Sequence, residues 1–305
     1  MTKKKVDKKK RKRRMIYTFF SSIILLGVLL LLAPILFDMV DLAHRKEMVS
    51  QYEEKVPEKG NATLELVKKY NKMIYQQQKG EAVEEEVKIT DIQSDLKTPI
   101  GFINIPSIHL INMVIHFGDS DWALNRGIGT LPWTTLPIGG KNTLSGITGH
   151  SGLANQILFD NIRHLKNGDV FYVNAFGENL AYQVYDQKVV DPRDEDAAKV
   201  FYVQEGKDIA ALMTCTPLFI NSHRLVIYGK RIPMKVAKKV KTARRTVWSL
   251  DAIWIATMLL FLLLLLLWLI YRYFRDKRKE KQEEELENSE KTEESKEIND
   301  VKADD

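Results

Sequence analysis

The stretch LMTCTPLFINSHRLVIYGKR, residues 212–231, contains the only cysteine of the chain, Cys215. Two apolar, β-branched segments flank a polar turn, which predicts two neighbouring strands joined by a loop of about eight residues. Cys215 closes the first strand and Arg224 opens the second, so both side chains are expected at one end of a sheet. A lone cysteine is commonly a small buried hydrophobic residue. Beside a cation it is also a candidate nucleophile, because the thiolate is the reactive form.

Similar short segments, separated by Gly, Pro, Asn and Asp, begin at Gly101. They are GFINIPSI (101–108), LINMVIHFG (110–118), NTLSGITGH (142–150), DVFYVNAF (169–176), LAYQVYDQKVV (180–190), DIAALMTC (208–215) and RLVIYGKRI (224–232). Short helical patterns lie around SDWALNRG (120–127) and NQILFDNIRHL (155–165). Seven or eight strands in about 135 residues, without a βαβ rhythm, predict a mainly-β domain over residues 99–233, either a closed barrel or a sandwich.

An uncharged apolar run, MIYTFFSSIILLGVLLLLAPILF (15–37), is long enough to cross a bilayer, which takes about 20 residues. The basic N-terminus, residues 1–14, precedes it and is expected in the cytoplasm by the positive-inside rule. A cleaved signal peptide is the competing interpretation. It is the weaker one, because the apolar core is long and no A-x-A-like site follows it.

A second apolar run, residues 250–271, has tryptophan near both ends, as interfacial anchors do. Basic residues flank it on both sides, in the juxtamembrane linker 234–249 and after the run. With two spans and a cytoplasmic N-terminus, the C-terminus is cytoplasmic too and the part between is extracellular. The highly charged segment 272–305 has almost no apolar content, which predicts a disordered cytosolic tail.

Residues 38–98 are predicted as an extracellular helical and linker segment. Two polar helices, broken near Pro57 and Gly60, lead into the acidic linker GEAVEEEVKITDIQSDLKT (80–98). One cysteine forms no intramolecular disulfide, so a free thiol in an exported domain requires an explanation.

A thiol nucleophile needs a base or a positive neighbourhood. His150 ends the strand NTLSGITGH where a loop begins, and functional groups are often presented there. On the pattern alone, His150 and Arg224 could equally be ordinary polar residues at strand ends. The other histidines lie in polar helical, strand-rim or turn contexts: His44, His109, His116, His164 and His223.

Three motifs occur in the order TGH (148–150), LMTCTP (212–217) and NSHRLVIYGKRI (221–232). They resemble the signature of sortases, and in particular the class C, pilus-assembling type. Three further segments are similar to the same family: PIGFINIPSI (99–108), LPIGGKNTLSGITGHSGL (136–153) and KNGDVFYV (166–173). The resemblance covers about residues 99–233 and implies a closed sortase-type β-barrel with short helices. Flanking transmembrane helices at both ends also fit class C.

The resemblance implies that Cys215 attacks the Thr–Gly bond of a Leu-Pro-x-Thr-Gly (LPxTG) sorting signal and forms a thioacyl enzyme. His150 would protonate the leaving amine and then serve as base, while Arg224 would align the substrate and stabilise the oxyanion. The acceptor would be a lysine of a pilin subunit. No cofactor, metal or nucleic acid is implied, and the histidines lack a ligand-like spacing.

Three alternatives remain: a sortase that anchors single surface proteins to peptidoglycan precursor, a non-catalytic membrane scaffold, and a plain cysteine protease. Two features depart from the class C pattern. No Asp-Pro-aromatic lid motif lies between Gln78 and Ile100, and Ser151 stands where many relatives have arginine. Any cover over Cys215 is therefore expected to be weakly held, by carboxylates of the acidic linker near Arg224.

Overall fold

The computed structural model describes residues 2–152, 159–240 and 250–301. Two compact units make up the chain. The first combines Met1–Leu36 with Trp248–Asp305, and the second spans Phe37–Val247.

The helices are α1 Thr2–Lys79, α2 Ile89–Ile92, α3 Asp121–Leu124, α4 Met234–Ala237 and α5 Leu250–Val301. The strands are β1 Gly101–Ile105, β2 Leu110–His116, β3 Ile128–Thr130, β4 Thr143–Thr148, β5 Val170–Ala175, β6 Glu178–Val190, β7 Asp208–Thr216 and β8 His223–Ile232. Short 3-10 helices cover Pro106–Ile108, Asp160–His164 and Ala197–Phe201.

The eight strands close into one barrel in the order β1-β2-β3-β4-β7-β8-β6-β5. The mainly-β prediction is confirmed, each of the seven predicted segments contains a strand, and the barrel replaces the sandwich alternative. The sequence does not predict β3, because three residues carry too little periodicity. Its Gly129 is required there, since a Cβ would clash with the carbonyl oxygen of Gly118.

A second apolar layer covers β4, β7 and β8 from outside the barrel. The 3-10 helix Ala197–Phe201, in the β6–β7 connection, places Phe201 against Leu144 and Val226. Tyr228 donates a hydrogen bond from its hydroxyl to the carbonyl oxygen of Val200 at 3.0 Å. Because β4 is packed on both faces, all six of its residues are buried. The strand that leads to His150 is therefore rigidly held.

Helix α1 is continuous through Pro57 and Gly60, so the prediction of two separate helices is wrong. A proline inside a helix removes one backbone hydrogen bond and costs about 3 kcal/mol. Residues on both sides of the predicted break pack on the barrel, including Tyr52 before it and Tyr70 after it. This packing holds the two stretches in line and offsets the local cost.

Two polar contacts fix α1 on the barrel. The hydroxyl of Tyr52 accepts a hydrogen bond from Gly177 N at 3.1 Å. Asn71, which is buried, accepts from Leu136 N at 2.7 Å and donates to the Leu136 carbonyl at 3.0 Å. Leu136 lies in the connection that enters β4, at the end of that strand away from His150. The Asn71 contact thus supports β4 at the end remote from the candidate site.

The acidic linker is held on α1 by ion pairs. Lys69 contacts Glu85 at 2.9 Å and Lys72 contacts Glu84 at 2.5 Å. Val87 and Ile92 of the same linker are buried in the barrel core. These carboxylates therefore pair with α1, whereas the sequence predicts them near Arg224.

One helical segment among the described residues is long and apolar enough to cross a membrane, Ile255–Lys279, with mean hydropathy 2.3. A shorter apolar stretch runs from Met15 to Leu30. The rest of the predicted N-terminal span, up to residue 37, falls mainly on residues whose side chains lie outside the described part. Residues 241–249 of the predicted linker and 302–305 of the tail also lie outside it.

The segment predicted as a disordered tail continues α5 as far as Val301. Its residues are mostly Glu, Lys and Arg, which are strong helix formers. Opposite charges spaced three or four residues apart stabilise a helix further. Local propensity thus accounts for the difference from the prediction, which rested on the low apolar content.

Candidate active site

The β7–β8 ladder places Cys215 directly opposite Arg224. The two strands are antiparallel neighbours joined by a tight loop, in which Ile220 N and Asn221 N both donate to the Pro217 carbonyl. Cys215 is a free thiol and, like Arg224, is half-buried. The predicted juxtaposition of thiol and guanidinium at one end of neighbouring strands is therefore present.

The guanidinium of Arg224 is anchored to its own turn. Its Nη1 donates to the carbonyl oxygens of Asn221 at 3.0 Å and His223 at 3.1 Å. Arginine is charged at any working pH and carries five N–H donors in a rigid plane. Because Nη1 is held by the turn, the other N–H groups of the guanidinium are available to donate hydrogen bonds to a substrate carbonyl oxygen.

His150 follows strand β4, which pairs with the edge of β7 opposite to β8. Strand β4 runs parallel to β7, with Thr148 opposite Met213. Gly149 N continues the ladder by donating to the Met213 carbonyl at 3.2 Å. His150 follows immediately and is half-buried, so it lies at the end of β7 that carries Cys215.

Two hydroxyl groups join this exit of β4 to β7. Thr214 Oγ1 donates to the carbonyl oxygen of Gly149 at 2.9 Å. Ser151 Oγ donates to the carbonyl oxygen of Cys215 at 2.9 Å. Sequence reasoning identifies Ser151 only as a departure from the family pattern, because its partner is a backbone atom distant in sequence. No local signal in the sequence identifies that bond.

The backbone after His150 is held by further contacts. The carbonyl oxygen of His150 accepts from Phe159 N at 3.0 Å. Gly152 N donates to Asp160 Oδ1 at 2.6 Å. The 3-10 helix Asp160–His164 thus closes the loop back on the site. Residues 153–158 of this loop lie outside the described part.

The remaining histidines occupy different environments. His44, His109 and His164 are exposed. His223 lies opposite Thr216 in the ladder, next to the site, and its Nδ1 is 2.8 Å from Ser222 Oγ. His150 and His223 are therefore the two imidazoles nearest to Cys215 in the strand register.

His116 is a core residue with no exposed surface. Its ring packs edge-to-face on Trp122, with ring centroids 5.1 Å apart. The pKa of His116 is lowered to about 4, mainly by burial, with a smaller lowering from the charge of Arg126 and an opposing effect of the Lys97 carbonyl. His116 is thus a neutral packing residue of the core.

Among the described residues, no cluster of three or more His, Cys, Asp or Glu side chains could hold a metal ion. The chemistry that the described residues offer at this site is a thiol with an imidazole as acid and base and a guanidinium as oxyanion donor.

Comparison with known proteins identifies the fold. A family model described as the Sortase domain matches residues 103–232. Sortase C1 of pilus island 1 from Group B Streptococcus is 36% identical with a TM-score of 0.55, and the match covers 62% of this chain and 98% of that one. The chain belongs to the sortase family.

Other members of the family agree with this assignment. A Clostridium perfringens sortase C, solved with the C-terminal cell wall sorting motif, is 37% identical with a TM-score of 0.54, and the match covers 62% of this chain and 99% of that one. Sortase A of Bacillus anthracis is 27% identical over 181 residues, which are 57% of this chain and 82% of that protein. The structural neighbours of this sortase thus include class C pilus sortases.

Proposed function

We propose that the protein is a membrane-anchored cysteine transpeptidase of pilus assembly. It cleaves an LPxTG-type sorting signal between Thr and Gly through a thioacyl enzyme, and it transfers the acyl group to a lysine amine of a pilin subunit. The observation that carries this proposal is the pairing of Cys215 with Arg224 across β7 and β8, with His150 at the adjoining exit of β4.

In the first half-reaction, the Cys215 thiol gives its proton to His150 and its Sγ attacks the threonine carbonyl carbon, so the carbonyl oxygen becomes an oxyanion. Arg224 stabilises this charge through its guanidinium donors. When the Thr–Gly bond breaks, His150 supplies the proton to the leaving glycine amine. The product is a thioester between the threonine carbonyl and Cys215.

In the second half-reaction, a lysine amine attacks the thioester, and His150 takes the proton from the attacking nitrogen. The carbon–sulfur bond breaks, the proton passes from His150 to Sγ and regenerates the thiol, and an isopeptide bond remains in the product. Both half-reactions pass through an oxyanion at the same position, so one arginine serves both. No cofactor is needed, because neither half-reaction changes an oxidation state.

Membrane anchoring is supported by contacts within the first unit. A Cβ at Gly27 would lie 3.4 Å from Cδ2 of Leu262, so the two apolar helices approach closely there. Tyr17 packs edge-to-face on Tyr273, and its hydroxyl is 3.3 Å from Asp276 Oδ2. An N-terminal residue thus meets residues near the end of the second span. An antiparallel pair of this kind has both termini on one side of the membrane, and we assign that side to the cytoplasm because the N-terminus is strongly basic.

A transfer assay tests the proposal. The full-length sortase in detergent is incubated with an LPxTG peptide, and product formation is followed with and without a pilin-derived lysine peptide. A transpeptidase forms the amide-linked product and turns over faster when the amine is present. A plain protease releases only hydrolysed peptide at an unchanged rate, and a scaffold gives no cleavage.

Assembly of pili and anchoring of single proteins differ in their amine. In cells, the proposed activity yields a ladder of high-mass pilin polymers that withstands boiling in detergent. Wall-linked monomers without a ladder would support the alternative, a sortase that attaches surface proteins to peptidoglycan precursor. The likeness to pilus-related sortase C enzymes favours the first outcome.

A further inference from the structure

The two sequence neighbours of His150, Gly149 and Ser151, each form a hydrogen bond with a residue at the end of β7. On one side, the Gly149 carbonyl accepts from Thr214 Oγ1, and on the other, Ser151 Oγ donates to the Cys215 carbonyl, both at 2.9 Å. Thr214 supplies one hydroxyl from β7, and Ser151 supplies the other from the chain that follows β4. We call these two bonds the hydroxyl clamp.

The clamp extends the β4–β7 ladder beyond its last backbone bond, which runs from Gly149 N to the Met213 carbonyl. Strand β4 ends at Thr148, so the chain carrying His150 has left the sheet. Without further bonds, the two strands could separate at the point where thiol and imidazole must meet. The clamp holds them together at that point.

Burial makes both bonds persistent. Thr214 is 1% exposed and Ser151 is 5% exposed, so water competes little for either hydroxyl. A short side chain with one rotatable bond also fixes the distance between the two backbones more tightly than a long one would. At position 151 the resemblance to class C enzymes predicts arginine, whose longer side chain has more rotatable bonds and would fix this distance less tightly.

We propose that Ser151 is a positioning residue, which through the hydroxyl clamp sets the His150 imidazole relative to the Cys215 thiol. This inference rests on the proposed function. Proton transfer and nucleophilic attack depend steeply on geometry, and a displacement of about 1 Å can cost roughly 100-fold in rate. Ser151 bonds to the nucleophile's own carbonyl, so it acts on the same backbone that orients Sγ.

The test compares Ser151→Ala with Ser151→Thr and with Ser94→Ala in the full-length protein in detergent. Ser94 is an exposed serine of the acidic linker and serves as the matched control. We expect Ser151→Ala to lower kcat about 10- to 100-fold with KM within twofold. Ser151→Thr, which keeps a hydroxyl, should recover most of the rate, and Ser94→Ala should behave as wild type.

Alkylation of Cys215 by iodoacetamide gives a readout that needs no substrate. We expect Ser151→Ala to slow alkylation near neutral pH, because a displaced imidazole assists removal of the thiol proton less well. In a His150→Ala background, adding Ser151→Ala should change the rate by less than twofold, since Ser151 acts through His150. Thr214→Val, which keeps the shape and removes the second hydroxyl, should act in the same direction as Ser151→Ala.

A kcat within twofold of wild type for Ser151→Ala would overturn the proposal. So would equal slowing of alkylation in the presence and absence of His150, because the effect would then not pass through the imidazole. If Ser151→Ala fails to fold, the isosteric Thr214→Val decides by the same two criteria. Failure of the proposed function would give a different result. The wild-type protein would not cleave the peptide, but Ser151→Ala would still slow alkylation of Cys215 when His150 is present and not when His150 is replaced.

Discussion

Cys215 and Arg224 are cross-strand partners in the β7–β8 ladder. Directly opposed residues of antiparallel strands have Cβ atoms about 4.5–5.5 Å apart. The two side chains therefore start from adjacent positions in the ladder of the resting protein, while Nη1 of Arg224 is bonded to the carbonyl oxygens of Asn221 and His223. This relationship leads to a first prediction, about what kind of cation the site needs.

Replacing Arg224 by lysine keeps the charge and removes the planar fork. We expect Arg224→Lys to lower kcat/KM for an LPxTG peptide by about 10²–10³-fold, close to the loss for Arg224→Ala. The matched control is Arg193→Lys, which alters an exposed arginine paired with Asp191 on a neighbouring loop. Near-normal turnover of Arg224→Lys would mean that charge alone matters and that the orienting role is wrong.

The buried His116 makes stability depend on pH. Its folded pKa of about 4 lies below the unfolded value near 6.5, so the neutral form stabilises the fold. This contribution to the free energy of unfolding is fully present above pH 6.5. It decreases by up to about 3 kcal/mol as the pH falls to about 4 and below. Urea unfolding of wild type and His116→Phe at several pH values measures it.

The His116→Phe variant should show a flatter pH dependence between about pH 6.5 and 4. His109→Gln, a change at an exposed histidine, should keep the wild-type slope. Identical slopes for His116→Phe and wild type would contradict the burial of a neutral imidazole.

The paired apolar helices predict a specific cross-link. In a Cys215→Ala background, Gly27→Cys with Leu262→Cys should form a disulfide in membranes on mild oxidation, since these positions approach closely. Gly27→Cys with Leu260→Cys should not, because two residues turn a helix by about 200°. Electrophoresis without reductant separates the two results.

The membrane topology provides a second test of the same pair of apolar helices. External protease added to protoplasts should spare a C-terminal tag, because the proposed topology has both termini in the cytoplasm. Equal cross-linking of both pairs, or loss of the tag, would count against the two-span hairpin.

The acidic linker should not gate the thiol. Glu84 and Glu85 pair with Lys72 and Lys69 of α1, so Glu84→Gln with Glu85→Gln should leave the alkylation rate of Cys215 within twofold. Exposed pairs of this kind contribute little because solvent screens them, so stability should also change little. A tenfold faster alkylation would instead reveal a lid held by these carboxylates.

The same linker should matter for stability through its apolar residues. Ile92 is buried in the main core, and truncation of such a side chain to alanine costs about 2–5 kcal/mol. Ile92→Ala should therefore lower the urea midpoint of the barrel, whereas Leu96→Ala, at an exposed position, should not. Equal stability of both variants would show that the linker is not part of the core.

The sequence predicts those parts of the structure that depend on local pattern. The opposition of Cys215 and Arg224 follows from two strands and one short turn, and seven of the eight strands have a readable β-pattern. The approach of His150 is non-local, because Gly149 and Thr214 are 65 residues apart in the chain. Only the resemblance to sortases pointed to it.

Other features were beyond the sequence because tertiary packing overrides local signals. The continuity of α1 through Pro57 depends on barrel contacts made by distant turns, and the prediction from local breakers alone was wrong. The hydrogen bond from Ser151 to the Cys215 carbonyl has a backbone acceptor. Every residue has a backbone carbonyl, so the sequence does not indicate which one is used. Paired acids and lysines likewise could not be assigned partners before the fold was known.

The central claim is that Cys215 carries the acyl group. Intact-protein mass spectrometry of the sortase, quenched in acid during turnover of an LPxTG peptide, tests it most directly. We expect a mass increase equal to the fragment ending in threonine, located on the peptide that contains Cys215, and removed by hydroxylamine as thioesters are. Turnover without this adduct, or an adduct on any other residue, would contradict the account.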